Sequence, residues 1–215
     1  MAPPGGRISL LSNPEFPKHA NTLVLECGNS LYQSVLDRYE NGEDVPFAEI
    51  SQVWRNTTKV LSWDSPIYAN LISAVRERNR ALSPAERIRV IAADSPIDWI
   101  RVHDQHDYAA AFGGNQFFAS IIEREVLAKG RRALVIMGAN HLPRGGDSWS
   151  NTDVTDMLEK RKHHTYVVML TGPSPDSDPA LRGTQPSVYV LRGTRLGEQP
   201  YLNRPPIFQN SSGAI

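Results

Sequence analysis

Four short apolar runs punctuate the chain, at residues 22–26, 88–92, 133–137 and 165–170. Each is bounded by polar or glycine-bearing turns, the pattern of strands rather than helices. The run at 133–137 is uninterrupted and closed by Gly138, which predicts a strand buried on both faces, as in a parallel sheet covered by helices. Between the runs the apolar spacing changes to that of helices. Leu31, Val35, Leu36 and Tyr39 share one face of a segment that opens at Ser30 and reaches a capping Gly42. A second helix is expected over 46–57. A third over 66–82 carries the stripe Tyr68, Leu71, Ile72 and Val75 behind Ser65-Pro66, a cap followed by proline at the first helical position. A fourth covers 115–129, with Phe118, Ile121, Ile122 and Val126 inward and Gly130 at its end, and a fifth covers 151–162 through Val154, Met157 and Leu158.

Alternating strands and helices predict an α/β fold: a mostly parallel sheet of about four to five strands with helices on both faces. The fifth strand would be a short edge at 188–191. The remaining stretches read as connections. Residues 1–21, with six prolines and glycines and little apolar content, are expected to form a loose arm with at most one helical turn. A single α/β domain spans 22–197, and residues 198–215, without helical or strand period, form a tail. Residues 76–80, Arg-Glu-Arg-Asn-Arg, read as a solvated helix face, residues 100–114 as a mobile connection, and residues 143–150 as a glycine-rich loop. Gly28 is expected to permit the turn out of the first strand, and Ser83 with Glu86 fits a capping box before the second.

Composition narrows the class of partner. Twenty-three basic residues balance twenty-three acidic ones, so nothing in the charge favours nucleic acid or an anionic membrane, and a small-molecule partner is expected. The single cysteine, Cys27, excludes an intramolecular disulfide and a cysteine-held zinc. No signal-peptide pattern opens the chain and no apolar run reaches membrane-spanning length, so the expected location is the cytoplasm.

Parallel strands bring like ends together, and three of them end in ionisable groups: Glu26, Asp94 and His141. A neutral imidazole can take a proton from water while a carboxylate orients it, so Glu26 and His141 form the candidate catalytic pair for attack on an ester, amide or similar bond. The same two residues are candidate metal ligands, although three protein ligands are usual for catalytic zinc. Asp94, Asn140 and Asn115 are further candidates in the same crevice, with a helix cap or a loop anchor as the plainer role for Asp94. His103 and His106 are three apart and offer a weaker ligand pair. His163-His164 sits at a helix end, where it complements the dipole. Cys27 is placed for a nucleophile with His141 as base, but a lone cysteine at a strand end is more often a small apolar filler. There is no Gly-x-Ser-x-Gly elbow and no phosphate-binding glycine loop.

Gly138-Ala-Asn-His141 after a buried strand resembles the second Gly-x-x-His motif of the superfamily that joins Tiki proteases, TraB-like proteins, erythromycin esterases and haem-binding ChaN proteins. Leu23-Val-Leu-Glu26 resembles the superfamily's strand ending in a functional glutamate. Residues 26–33, Asp37-Arg-Tyr39, Trp54-Arg55 and residues 94–99 are similar to an uncharacterised bacterial branch, so the likeness runs over roughly 13–197. The superfamily's earlier Gly-Glu-x-His motif has no counterpart here, and Asn115-Gln116 stand where an arginine is expected. The resemblance therefore implies a truncated or divergent member with a sheet incomplete relative to the superfamily. It also implies an ancestral hydrolase, esterase-like or metal-dependent and peptidase-like. The alternatives are a non-catalytic haem- or metal-binding protein, with His141, His103 or His106 approaching the iron, and an inactive fragment. No cofactor is required by the sequence; haem or a divalent metal is compatible with it. A missing first strand would leave a sheet edge exposed, and self-association through that edge is a further expectation.

Overall fold

The computed structural model describes residues 10–59, 65–142 and 153–168. They fall into two compact units, one running to Met137 and one beginning at Gly138.

The first unit is built on a sheet of three strands, β1 (Thr22–Asn29), β2 (Arg89–Asp94) and β3 (Ala133–Ile136), in the order β2-β1-β3 with both pairings parallel. Thr22 to Leu25 lie opposite Arg89 to Ala92 on one side and Ala133 to Ile136 on the other, so the three runs start level. Alternation along the strands then divides the core. Leu23, Leu25, Val90 and Ala92 pack with Leu36 of α2 (Gln33–Glu40), Val53 and Trp54 of α4 (Gln52–Arg55), and Leu71, Ile72 and Val75 of α5 (Pro66–Arg80). On the other face Val24, Ile91 and Ala93 are buried, and α7 (Gly114–Glu125) packs against β2 with Phe118, Ala119, Ile121 and Ile122 inside. Helices thus cover both faces of a parallel sheet, and the fold class is α/β.

The structure departs from several expectations. Three strands lie among the described residues, and the fourth and fifth expected runs fall partly or wholly outside them. Of the run at 165–170, residues 165–168 are described and Val167 alone makes a β-bridge; the expected edge strand at 188–191 and the loop at 143–150 lie outside the described residues. β3, at one edge of the described sheet, is half-buried throughout rather than buried on both faces. In the described part of the expected arm, α1 (Phe16–His19) is one helical turn, and Leu11 and Phe16 join the core. The 46–57 helix is two short helices, α3 (Phe47–Ile50) and α4. The supposed mobile connection contains a 3-10 turn, Trp99–Arg101, and a helix, α6 (Gln105–Ala111). Gly28 remains within β1 instead of turning out of it. A Cβ there would meet Ala92 at 2.9 Å, so its glycine allows β1 and β2 to approach.

The outer edge of β2 is closed by side chains. Gln33 accepts from the Ala92 N–H at 2.8 Å and donates to the Val90 carbonyl at 2.9 Å. Glu40 accepts from the Val90 N–H, and Asn79 both accepts from the Ile88 N–H and donates to its carbonyl, each at 2.8 Å. Alternate residues of β2, whose backbone groups point away from β1, are therefore answered by amides and a carboxyl from α2 and α5. The expected self-association has no open strand to use at this edge. Residues 76–80 take part in the same construction: Asn79 is buried, and Arg76 donates to the carbonyls of Tyr39, Gly42 and Glu43 while lying 4.4 Å from the Tyr39 ring centroid. The stretch is an anchor on one side and solvated only on the other.

The second unit contains α8 (Val154–Lys160), with Val154, Thr155 and Leu158 buried. Lys162 closes the helix in the left-handed region, φ +69°, which turns the chain toward His163. Among the described residues no helix is long and apolar enough to cross a membrane.

Candidate functional site

β1 is the central strand, and its carboxyl end is where an open parallel sheet normally offers a crevice. Two buried polar residues organise that end. Asn29, opposite Asp94 in register, donates from its amide to the carbonyls of Asn56 and Ile97 and accepts from the Leu31 N–H. Asp94, 1% exposed, accepts from the Thr57 hydroxyl, the Thr58 N–H and the Thr58 hydroxyl at 2.5 to 2.8 Å. A buried carboxylate holding several donors is a structural anchor: removing it would leave them unsatisfied in the interior. Asp94 caps no described helix; of the two structural roles expected for it, the loop anchor is the one seen, and the segment it fixes is Thr57-Thr58-Lys59.

That segment delivers a cation to Glu26. Lys59 Nζ lies 3.5 Å from Glu26 Oε1, and the two side chains are only 21% and 11% exposed. The ammonium also faces two rings, with centroids at 5.3 Å for Phe118 and 5.8 Å for Phe112, contacts that favour a cation over an aromatic face. Shielding strengthens both attractions relative to water. At 3.5 Å the pair is longer than a closed charge-assisted hydrogen bond, which runs to about 2.9 Å.

Phe112 continues into an aromatic row. Its ring stacks on Tyr108 at 5.6 Å with 17° between planes, and Tyr108 stacks on Trp99 at 6.0 Å with 24°. Trp99 donates from Nε1 to the Asn56 carbonyl, so the row is tied to the loop that Asn29 holds. Gly113 N–H donates to Ser95 Oγ, tethering the other end of the row beside β2. Trp99 and Phe112 are partly exposed and Ile100 is 86% exposed.

The remaining candidates are placed as follows. Asn115 is half-buried in the first turn of α7, and Cys27 is half-buried within β1. His141 follows β3 in a 3-10 turn, Ala139–His141, with its N–H on the Gly138 carbonyl at 3.1 Å; it is half-buried and, with Asn140, belongs to the second unit. Within the first unit, Glu26 pairs with Lys59. His103 and His106 are exposed at the start of α6. Ligand atoms of Asp104, His106 and Asp107 come within 4.8 Å of one another, without His103. Helix capping accounts for this cluster: Asp104 accepts from the Asp107 N–H at 2.9 Å and Asp107 accepts from the His103 N–H at 3.0 Å. His163 and His164 lie beyond α8, beside a surface depression of about 490 Å³ that also touches Glu159 and Tyr166.

Sequence reasoning found Glu26 and Asp94 but missed Lys59, Thr57, Thr58 and the aromatic row. Thr-Thr-Lys has no motif; only the pairing of β1 with β2 brings it to the strand ends. The chain matches no protein-family model, no curated protein and no solved structure.

Proposed function

We propose that the carboxyl edge of the sheet is a small-molecule site with hydrolytic chemistry centred on Glu26, and that the chain is a divergent member of the superfamily its motifs resemble. The observation that carries this reading is the shielded Glu26–Lys59 pair at the end of the central strand. Polar groups of opposite charge, desolvated and fixed by a rigid sheet, suit acyl transfer to water. Water adds to the carbonyl carbon of an ester or amide and its proton passes to the Glu26 carboxylate; the Lys59 ammonium holds the oxygen that becomes negative. When the tetrahedral adduct collapses, the leaving alcohol or amine takes that proton from Glu26, and the acid departs. Each atom and charge is returned, and Glu26 is regenerated.

A panel of simple esters and amides tests the reading. Glu26→Gln and Lys59→Met are each expected to lower kcat/KM by about a hundredfold, the usual scale for a general base or an oxyanion-stabilising group. Turnover that survives unchanged in both variants, or no turnover by the native chain on any substrate, rejects it.

A further inference from the structure

We infer that the substrate carries an extended apolar chain, laid along the Trp99–Tyr108–Phe112 row with its carbonyl at Lys59. This deepens the hydrolytic reading above and rests on it. Three rings in near-parallel planes show their edges as a continuous strip, and the strip ends at the ammonium because Lys59 lies over the ring of Phe112. Exposure follows the same line: Phe112 is 42% exposed, Trp99 37% and Ile100, the residue after Trp99, 86%. An exposed isoleucine beside an exposed indole is costly to leave in water, and a chain of methylenes would cover both. A single ring would occupy only one member of the row; an acyl chain touches all of it.

The polar end sets the second requirement. Glu26 and Lys59 offset one another's charge, so an anionic head would have to displace the carboxylate from a shielded cation. A neutral ester or amide does not. Its carbonyl can accept from the ammonium while the pair stays in place. The chemical class is therefore a neutral acyl ester or amide with a medium-length alkyl chain, in preference to a free acid or a short polar ester.

A series of p-nitrophenyl esters from acetate to decanoate, with the full chain as enzyme, reads this directly. Native kcat/KM is expected to rise about twofold per added methylene until the strip is covered, roughly half the effect of complete burial, because one side stays open to water. In the double variant Trp99→Ala, Phe112→Ala the chain-length dependence should flatten, whatever happens to the acetate rate. A flat series in the native protein overturns the inference, and so does a slope that the double variant retains; either leaves the hydrolytic reading standing if Glu26→Gln lowers acetate turnover about a hundredfold. Binding separates the two a second time. Decanamide, watched through calorimetry, should bind at least tenfold more tightly than butyramide, and the double variant should lose that difference even if no ester is turned over. Trp99→Phe, which keeps a ring in the row, should restore the slope in a Phe112-intact background; failure to do so counts against the strip.

Discussion

Two margins of the same sheet treat polar groups in opposite ways. Along the outer edge of β2, every exchange is short and closed: Gln33, Glu40 and Asn79 meet backbone groups at 2.8 to 2.9 Å, and Glu40 and Asn79 are almost wholly buried. At the carboxyl end, Glu26 and Lys59 stand 3.5 Å apart beside Phe112, whose ring reaches the solvent. The first margin spends its polar side chains on satisfying main chain that would otherwise recruit another strand. The second keeps ionic groups near the surface in a geometry that a bound group can share. Buried polar residues in one small domain thus divide into those that finish the fold and those that offer chemistry, and hydrogen-bond length with burial separates them better than residue type does.

Asp94 gives the sharpest way to break this division, since it lies at the carboxyl end but behaves like the closed edge. Asp94→Ala strands two threonine hydroxyls and the Thr58 N–H in the interior, and should cost about 4 kcal/mol by urea denaturation. A loss under about 1 kcal/mol would mean that the 57–59 segment does not depend on it.

Glu40 sharpens the comparison through pH. Burial raises its pKa from the ordinary 4.5 to about 9; Asp37 nearby pushes in the same direction, while the Val90 N–H and Arg89 oppose it. The folded protein therefore holds a proton that the unfolded chain gives up above 4.5. The contribution of this acid to stability is complete below that point and declines as pH rises toward 9, by at most about 1.4 kcal/mol per unit. Glu40→Gln removes the titration and keeps the acceptor. Its denaturation free energy should drop less than the native protein's between pH 5 and 8, the difference being on the order of 3 kcal/mol. Parallel pH profiles for the two proteins would show that the carboxyl is not held neutral.

The parts of this molecule that were legible in the sequence are those fixed by local spacing. The α5 stripe Leu71, Ile72 and Val75 is buried as its period implies, and the proline after Ser65 opens that helix. The parallel sheet followed from strands separated by helices. What local spacing cannot show is a partner supplied by another segment. Arg76 and Asn79 stand in a run of charges whose composition suggests water, yet α2 and β2 bury one and hold the other. Helix α6 was hidden because its one aromatic, Tyr108, stacks on Trp99 and Phe112 instead of joining a core stripe and its other apolar residues are alanines, although Asp104 and Asp107 already formed a capping pair. Glu26 was visible as a strand-end acid. Its cation was not, because Lys59 reaches it only through the anchor at Asp94.

The smallest expected effect on stability concerns that cation. Lys59→Met keeps an unbranched apolar stem against Phe112 and Phe118 and removes only the charge. The lost terms are an ion pair at 3.5 Å and two ring contacts, partly offset because the ammonium no longer needs to be desolvated. The cost should be about 1 kcal/mol, a fraction of that for Asp94→Ala measured in the same buffer. Glu26→Gln should cost no more, and the double variant should be closer to native than the sum of the two singles, since a coupled pair is removed once. A loss of several kcal/mol from Lys59→Met alone would place the pair with the closed edge of β2, as part of the frame, and would take from the carboxyl end the feature that distinguishes it.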